Sequence, residues 1–403
     1  MNEIAPLQIA VIGAGPVGLA LALHAARALP EASVTVFDAR PADKDVSGDP
    51  RTLALSLGSV QLLERLGAWR ADLAQPILEV HVSQQPPSML PLPGRLGDLF
   101  GEPCLRIRAV DEAVPMLGAV LSYGGIVAPL QQVWMAAAAA EPTRLHSRFG
   151  QTVAALKNVA GGVEVDAGIA ERFDLCIVAE GGVFADQARR AVTHDYHQTA
   201  WVGTVQFEAA STERANGVAF ERFTRHGPAA LLPLKSGGAG LVWCVTSDDD
   251  PVRELSDAQR VTVLGSIFHP AVGRIESISP LKQFPLGLNA ERTLTDGRTV
   301  RIGNAAQTLH PVAGQGLNLG LRDAFELVQS LSRNADVDAV LRKLEWQRGP
   351  DRWAMIAATD FLARSFTWKL PGAGAARGLG LATLQLLSPL KSALARQMMF
   401  GSR

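Results

Sequence analysis

The chain has 403 residues, of which 47% are hydrophobic, and its formal net charge is −1. This length accommodates two or three domains with substantial cores, and a near-neutral charge without Lys/Arg-dense runs speaks against a nucleic-acid partner. The three cysteines, Cys104, Cys176 and Cys244, stand far apart without a CxxC or Cys/His cluster, which argues against disulfides and a metal site and favours a reducing cytoplasm.

The N-terminal segment lacks the features of an export signal. No basic residue precedes its apolar run, which glycines interrupt and Asp38 ends; such a run is typical of a buried strand and helix. No uncharged apolar stretch reaches the ~18 residues that a membrane-spanning helix needs; the longest relevant stretch runs from Gly378 to Leu390. We therefore expect a cytoplasmic protein.

The first predicted elements form a dinucleotide-binding fingerprint. An apolar strand leads into a G-x-G-x-x-G turn at Gly13, Gly15 and Gly18 and then into a helix. A second strand, Ser33–Asp38, ends in an acid 20 residues beyond Gly18. In this context the three glycines permit a tight turn, a close approach to a pyrophosphate and packing of the helix on the strand. We expect Asp38 to accept hydrogen bonds from a ribose diol.

The middle of the chain predicts strands rather than a second nucleotide site. Residues 76–103, rich in Pro and Gln, predict a short strand pair with loops, and residues 191–283 contain alternating patterns. Gly237–Gly240 lies between two apolar runs and predicts a hairpin turn. The acidic run Asp248–Asp250 is expected to cap a helix that continues to Phe268 rather than to bind a metal.

A glycine-rich stretch near residue 310 is the most informative part of the chain. Pro311 is followed by Gly314, Gln315 and Gly316, which open directly into a helical pattern. Such a start presents bare backbone N–H groups and a helix N-terminus to an anion. A reduced isoalloxazine ring is such an anion, so the stretch points to a flavin.

The segment from Trp346 onward is helical in pattern and carries an unusual charge. From Phe361 to Arg403 there are six basic residues and no acidic one, which leaves −7 on the preceding 360 residues. The glycines of Gly372–Gly378 have the wrong spacing for a second fingerprint, and we predict a loop there. Two interpretations of this tail stay open: a core helix with a solvated basic face, or an apolar helix that docks on anionic lipid or a lipid-carrying partner.

Three segments together resemble the FAD-dependent aromatic hydroxylases of the p-hydroxybenzoate hydroxylase type, and the resemblance covers nearly the whole chain. They are the N-terminal fingerprint, the strand and glycine turn Phe173–Gly182, and the segment Gly303–Gly316. Three further segments are similar to the branch that hydroxylates polyprenyl phenols, such as 2-polyprenyl-6-methoxyphenol, in ubiquinone biosynthesis: Arg51–Ser56, Tyr196–Ala200 and Phe284–Leu286.

The chain departs from the wider family at two acids. Asn304 stands where the family has the Asp that holds the ribityl chain of FAD, and an amide oxygen can still accept that hydrogen bond. Glu180 replaces the Asp of the second motif and is one methylene longer. Asn304 together with Gln307 resembles the methoxyphenol-hydroxylase branch and favours a quinone precursor as substrate.

The resemblance implies an α/β fold with a discontinuous Rossmann-like FAD-binding domain, an inserted mixed β-sheet substrate domain and a C-terminal helical segment. The implied domains are residues 1–75, 104–190 and 284–345 for FAD, 76–103 and 191–283 for substrate, and 346–403 for the helical segment. FAD is the implied cofactor, NADPH or NADH the electron donor, and a polyprenyl phenol and O2 the substrates. Peripheral contact of the tail with an inner membrane or a biosynthetic complex is also implied.

The family chemistry implies that a flavin C(4a)-hydroperoxide delivers oxygen to an electron-rich ring in a dry pocket. Catalytic roles are expected for Pro311, Gly314, Gln315 and Gly316. Cofactor contacts are expected for Gly13, Gly15, Gly18, Asp38, Arg51, Glu180, Asn304, Gly316, Leu317 and Asn318. Among them, Arg51 is expected to pair with the pyrophosphate of FAD or a nicotinamide phosphate, with a surface role as the alternative.

The base that would remove the phenolic proton stays open among Tyr196, His194, His197 and His226. His310 is expected to anchor the glycine loop. Two other functions also stay open. One is a flavoprotein reductase of isoprenoid double bonds, which would turn over without oxygen. The other is a non-catalytic FAD-binding scaffold, whose flavin NADPH would not reduce.

Overall fold

The computed structural model describes residues 6–85, 103–180, 191–208, 216–268, 270–311, 314–365 and 373–401. Within these ranges the helices are α1 (Pro16–Ala28), α2 (Leu57–Arg65), α3 (Tyr123–Ala140), α4 (Asp257–Ile267), α5 (Gln315–Arg333), α6 (Val337–Ser365), α7 (Ala373–Leu386) and α8 (Ser388–Phe400). The strands are β1 (Gln8–Ile12), β2 (Ser33–Asp38), β3 (Thr52–Ser56), β4 (Gln75–Ile77), β5 (Glu79–Gln84), β6 (Cys104–Arg108), β7 (Gly118–Ser122), β8 (Leu145–Phe149), β9 (Ala155–Val159), β10 (Gly162–Asp166), β11 (Ala170–Phe173), β12 (Leu175–Val178), β13 (Ala191–Phe207), β14 (Val218–Thr224), β15 (Gly227–Pro233), β16 (Ala239–Thr246), β17 (Ile275–Ile278), β18 (Lys282–Glu291), β19 (Thr295–Asp296), β20 (Thr299–Arg301) and β21 (Gln307–Thr308).

A six-stranded sheet carries the N-terminal fingerprint. Its order is β19-β20-β12-β1-β2-β8, and every neighbouring pair is parallel except β19 with β20. Ile9 and Val11 of β1 pack towards α1, α3 and α5, while Ala10 and Ile12 pack towards the small sheet of β9, β10 and β11. Because both faces are covered, the central strands are apolar runs. Ligands of such sheets bind at the carboxyl ends of the strands.

A nine-stranded sheet forms the second part of the fold. Its order is β21-β18-β13-β16-β15-β14-β5-β6, with β17 beside β13. Within this sheet, β14 and β5 form the one parallel pair among the described strands, so the sheet is mixed as predicted. The predicted hairpin is confirmed, because β15 and β16 pair around a turn in which the N–H of Leu234 donates to the carbonyl of Gly238.

The division into domains stays a prediction. Strand β6 begins at the boundary predicted at residue 104, and strand β18 spans the boundary predicted at residue 284. Both strands belong to the nine-stranded sheet. Most of the strand pair predicted over residues 76–103 lies outside the described residues, although β4 and β5 fall at its start. A small antiparallel sheet of β3, β7 and β4 completes the strands and leads through Ser56 into α2.

The acidic run after β16 does not cap the next helix, contrary to the prediction. Ser256 caps α4: its Oγ accepts the N–H of Gln259, and the Gln259 side chain accepts the N–H of Ser256 at 2.9 Å. Asp250 instead accepts the indole N–H of Trp201 at 3.1 Å and the N–H of Val252 at 2.9 Å. The complete capping box closer to the helix therefore displaced the acidic run from the cap.

The C-terminal helices pack on the nine-stranded sheet. α7 lies along β6, where the N–H of Arg106 donates to Oε1 of Gln385 at 2.9 Å. The loop predicted at residues 372–378 is wrong from Ala373 onward, because this segment forms the first turns of α7. Its alanines favour a helix enough to offset the cost of its glycines, and Pro371 lies outside the described residues. Across the described ranges, every helix is too short or too polar to cross a membrane.

Candidate active site

The fingerprint turn forms a tight cradle at the carboxyl end of β1. Gly13 has a φ of +99°, and a Cβ atom on Gly18 would lie 1.9 Å from the carbonyl oxygen of Gly13. Pro16 occupies the first turn of α1, and the N-cap residue Gly15 supplies no side-chain hydrogen bond. The first N–H groups of α1 are thus presented to an anionic ligand, as a dinucleotide pyrophosphate requires.

Asp38 holds the shape of this cradle. Its Oδ2 accepts the N–H of Ala14 at 2.6 Å, and its Oδ1 accepts the N–H of Arg40 at 2.8 Å. The Arg40 guanidinium returns to the carbonyl of Ala14 at 3.0 Å. Each carboxylate oxygen retains a lone pair, so the predicted acceptance of a ribose diol is compatible with these bonds.

Glu180 lies beside Asp38, at the carboxyl end of β12. A Cβ atom on Gly13 would lie 2.9 Å from the Cβ of Glu180, which places Glu180 against the cradle. Burial, and secondarily the charge of Asp38, raises the pKa of Glu180. Two neighbouring acids disfavour a phosphate and favour hydroxyl donors. Glu180 therefore suits a ribose better than a phosphate, and Gly181 and Gly182 lie outside the described residues.

The second glycine loop begins α5. Gly314 is the N-cap of α5 with a φ of +59°, provides no side-chain cap, and donates its N–H to the carbonyl of Pro311 at 3.0 Å. A Cβ atom on Gly316 would have no atom within 4 Å, whereas Leu317 packs against the main core. The loop thus presents a helix N-terminus and open space on one side, which fits a flavin ring. Residues 312 and 313 lie outside the described residues.

The side-chain amide of Asn318 forms hydrogen bonds with three other parts of the chain. Its Nδ2 donates to the carbonyls of Ala54 and Gly314, both at 3.0 Å. Its Oδ1 accepts from the N–H of Ser56 and the hydroxyl of Ser59, both at 2.8 Å. These four bonds use the full capacity of a primary amide. The Asn318 side chain therefore ties the glycine loop to β3 and α2, and the flavin contact predicted for Asn318 stays a prediction.

The side chains of Arg51 and Asn304 are both exposed. Arg51 forms a bidentate ion pair with Asp49 at 2.7–3.0 Å and stacks 4.1 Å from the centre of the Tyr123 ring. Asn304 lies in a 3-10 turn directly after β20. In this turn a Cβ atom on Gly303 would lie 3.3 Å from Val17 of α1, so Asn304 stands next to the fingerprint helix. Their predicted contacts with cofactor stay predictions.

A cavity that is partly open to solvent connects the glycine loop with the nine-stranded sheet; the empty space in and in front of it is about 920 Å³. Pro311, Gly314 and Gln315 form one wall, and α8 forms another. The lining is mainly apolar and consists of Ala54, Leu55, Ser56, Ile77, Val80, Ile107, Leu117, Gly118, Ala219, Phe220, Glu221, Ala230, Leu232, Val242, Pro311, Gly314, Gln315, Asn318, Ala395, Met398 and Met399. Such a lining suits an apolar aromatic ligand oriented by a few polar groups.

The four candidate bases lie away from this cavity. Tyr196 stacks edge-on between His194 and His310, with ring centres 5.2 Å apart in each pair. His226 lines a separate pocket, and His197 is exposed with a φ of +50° at a bulge in β13. Burial, with a smaller contribution from Asp360, raises the pKa of Tyr196. The structure therefore does not bring these four side chains together at the site.

Glu221 is the ionisable side chain that sequence reasoning missed. Among the described residues that line the cavity, it alone carries an acid or base. It lies on β14 beside Phe220, which also lines the cavity. An acid within the apolar strand Val218–Thr224 was a signal for it, although the strand pattern alone does not indicate what the carboxylate faces.

His310 anchors the glycine loop, in line with the sequence interpretation. Its Nε2 lies 3.1 Å from Oε1 of Gln198 on β13, and its imidazole is buried. Burial lowers the pKa of His310 to about 4. The imidazole is therefore neutral near pH 7 and donates from Nε2, which argues against proton transfer by this side chain.

A buried charge network fixes α5 behind the loop, and sequence reasoning missed it too. Arg348 binds Asp323 and Asp351, both at 2.7 Å, and Arg322 binds Asp351 at 3.0 Å. Burial opposes ionisation of Asp351, but Arg348 and Arg322 outweigh it and lower its pKa. Gln397 of α8 donates to the same carboxylate at 2.5 Å. The network therefore joins α5, α6 and the helix that walls the cavity.

The chain is similar to known FAD-binding proteins. A family model described as an FAD binding domain matches residues 176–357. Ubiquinone hydroxylase UbiL of Rhodospirillum rubrum is 30% identical, over 97% of this chain and 89% of that protein. The 3-demethoxyubiquinol 3-hydroxylase of Escherichia coli is 29% identical, over 96% of each chain.

A solved structure supports the fold. Klebsiella pneumoniae HpxO, complexed with FAD and uric acid, superposes with a TM-score of 0.71 over 96% of this chain and 97% of that one, at 16% sequence identity. The predicted α/β fold with a Rossmann-like FAD-binding part is thereby confirmed. The sequence similarity extends over almost the full length of the ubiquinone hydroxylases, and the fingerprint, glycine loop and cavity are all present. The chain belongs to the family of FAD-dependent hydroxylases of ubiquinone biosynthesis.

Proposed function

We propose that this protein is a monooxygenase that hydroxylates the aromatic ring of a polyprenyl phenol, with FAD as cofactor and NADPH or NADH as electron donor. The observation that carries the proposal is the apolar cavity, which meets the glycine loop of α5 at one end. Its mainly apolar lining suits a substituted aromatic ring that carries an apolar chain. The methoxyphenol branch and the peroxide route stay predictions.

FAD would lie between the fingerprint cradle and the glycine loop that begins α5. Gly13, Gly15 and Gly18 with the first turn of α1 would hold its pyrophosphate, and Asp38 and Glu180 would accept ribose hydroxyls. Asn304 would bind the ribityl chain. The N–H groups at Gln315 to Leu317 would hold the flavin ring, and the Gly314 N–H would keep the loop closed on Pro311. When bound, FAD would supply electron transfer from the nicotinamide and activation of oxygen.

The chain itself would position, shield and deprotonate the substrate. The N-terminus of α5 stabilises negative charge on the ring it binds. Pro311 lines the cavity without an N–H group, so it adds no donor that would hold water beside the reacting edge. We propose Glu221 as the group that accepts the phenolic proton and thereby raises the electron density of the ring. Asn318 keeps the loop in place.

The test is product formation by the purified, FAD-loaded full chain. NADPH, oxygen and a set of short-chain prenyl phenols are supplied, and products are identified by mass. We expect a hydroxylated phenol above the no-enzyme control. An FAD-loaded protein that forms no such product would contradict the proposal. Turnover without oxygen would indicate an isoprenoid reductase, and a flavin that NADPH leaves oxidised would indicate a scaffold.

We also propose a cytoplasmic protein with peripheral contact at the inner membrane through the C-terminal helices. A polyprenyl phenol partitions into a bilayer because each buried CH₂ contributes about 0.8 kcal/mol. The enzyme must therefore either meet the bilayer or receive the substrate from a carrier in a biosynthetic complex.

A further inference from the structure

Four leucines of α7, α8 and the residue that joins them are exposed, and we call them the leucine patch. Their exposed fractions are 57% for Leu379, 78% for Leu386, 49% for Leu387 and 50% for Leu390. A single exposed leucine is ordinary, but three of these lie within five residues where α7 meets α8. Such a concentration of apolar surface indicates a contact with something outside the chain.

The patch remains exposed although the same helices already bury their inner faces. Leu381 and Leu384 of α7 and Leu394 of α8 pack against a core that includes Leu57 and Ile107. The inner face therefore accounts for the attachment of these helices to the body. The leucine patch is additional apolar surface that the fold of the described residues does not use.

The charge around the patch is positive. Residues 373–401 contain the basic residues Arg377, Lys391 and Arg396 and no acid. The acids of the neighbouring turn are engaged: Asp111 forms a bidentate pair with Arg108 at 2.7–3.0 Å. Glu112 accepts the hydroxyl of Ser392 at 2.7 Å and lies 3.8 Å from Arg396. An anionic surface is therefore attracted to this side of the molecule.

The patch and the cavity share one helix. α8 exposes Leu390 near its start and contributes Ala395, Met398 and Met399 to the cavity wall near its end. A helix of 13 residues is about 20 Å long. A lipid that enters beside the patch therefore needs to travel less than the thickness of a bilayer's hydrocarbon core to reach the cavity.

We propose that the leucine patch and Lys391 dock on the surface of an anionic bilayer and place the cavity beside its lipid substrate. The leucines enter the boundary between head groups and acyl chains, and Lys391 pairs with anionic head groups. This proposal rests on the proposed function for the identity of the substrate. Docking itself is measured independently of catalysis.

The test is flotation of the full-length, FAD-loaded protein with phosphatidylcholine vesicles that contain or lack phosphatidylglycerol. The test variant is Leu386→Glu with Leu390→Glu, and Lys391→Glu probes the charge. The matched control is Ile169→Glu, because Ile169 is 78% exposed on the turn between β10 and β11. Hydroxylation of a water-soluble short-chain phenol is measured for each protein in the absence of vesicles.

We expect the wild type and Ile169→Glu to float with anionic vesicles, and the double variant to bind at least about tenfold more weakly. Lys391→Glu should lose the preference for anionic over neutral vesicles, and all four proteins should keep the same activity on the soluble phenol. Equal flotation of the double variant and the wild type, or no flotation of the wild type, would overturn the docking surface. Absence of hydroxylation in every protein, with flotation intact, would overturn the proposed function instead.

Discussion

Asn318 and Glu221 show how much of the candidate site depends on single side chains. The side-chain amide of Asn318 forms four hydrogen bonds that hold the glycine loop to β3 and α2. Glu221 is the acid that the nine-stranded sheet presents to the cavity. Asn318 shapes the glycine loop, where we propose that the flavin binds, and we propose that Glu221 acts on the substrate.

Replacement of Asn318 by alanine should weaken both the fold and FAD binding. The carbonyls of Ala54 and Gly314 would lose their donor, at about 1–3 kcal/mol for each group left buried without a partner. We expect the free energy of unfolding to fall by about 2–6 kcal/mol and the Kd for FAD to rise about tenfold, measured by urea denaturation and by fluorescence titration. Asn216→Ala is the control, because Asn216 is exposed; equal behaviour of the two variants would count against the assigned role.

Replacement of Glu221 by glutamine should remove the proposed base while keeping the shape of the side chain. General base catalysis contributes about 10²–10⁴ in rate, so we expect kcat to fall about a hundredfold with KM little changed. The wild-type rate should decline at low pH, where a carboxylate is protonated, and the variant should lose that decline. Glu254→Gln, at an exposed position, serves as control. A wild-type pH profile in Glu221→Gln would show that another group takes the proton.

At the scale of elements, the first cradle depends on contact between two backbones. Gly18 of α1 touches the carbonyl of Gly13, which leaves no room for a side chain. Gly265 of α4 is the opposite case, since a Cβ atom there would meet nothing within 4 Å. These two helical glycines therefore separate the effect of packing from that of helix propensity.

Gly18→Ala should destabilise the protein by about 3 kcal/mol or more, because a Cβ atom at 1.9 Å from the Gly13 carbonyl oxygen forces α1 away from β1. Gly265→Ala should stabilise it by about 0.5–1 kcal/mol through the lower entropy of the unfolded chain. Urea denaturation measures both. Similar effects of the two substitutions would contradict the packing account of the fingerprint.

The sequence predicted those elements that neighbouring residues determine. It did not predict roles that depend on contacts between residues distant in the chain. The fingerprint strand, turn and helix follow from neighbouring residues. The acidic run was predicted to cap α4, but Ser256 and Gln259 lie closer to the helix and form its capping box. The helix at Ala373 was missed because glycines were given more weight than alanines. Glu221 and Asn318 gained their roles only from partners, or a cavity, distant in the chain, which no local pattern indicates.

At the scale of the whole molecule, buried polar groups join the parts of the fold. Arg348 links α5 with α6, Gln397 links α8 to the same network, and His310 links the glycine loop to Gln198 of the nine-stranded sheet. Because these groups are buried, their protonation is coupled to folding.

Stability should fall as the solution is acidified below pH 6.5, with a contribution from His310. Its pKa is lowered by burial from 6.5 to about 4, so the unfolded chain binds a proton in this range and the folded chain does not. The loss from this group is about 2 kcal/mol by pH 5 and grows to about 3 kcal/mol below pH 4. His310→Gln should reduce the difference in unfolding free energy between pH 7.5 and pH 5 by about 2 kcal/mol. An unchanged difference would contradict the neutral, buried state of His310.

We propose that FAD and the apolar cavity act together to insert one atom of O2 into a phenol ring. The most direct measurement is turnover of a short-chain prenyl phenol under 18O2 with NADPH, followed by mass spectrometry of the product. We expect a hydroxylated phenol that carries one 18O atom, with one NADPH consumed for each product formed. A product without 18O, or NADPH oxidation that yields only hydrogen peroxide or a reduced prenyl chain, would contradict it.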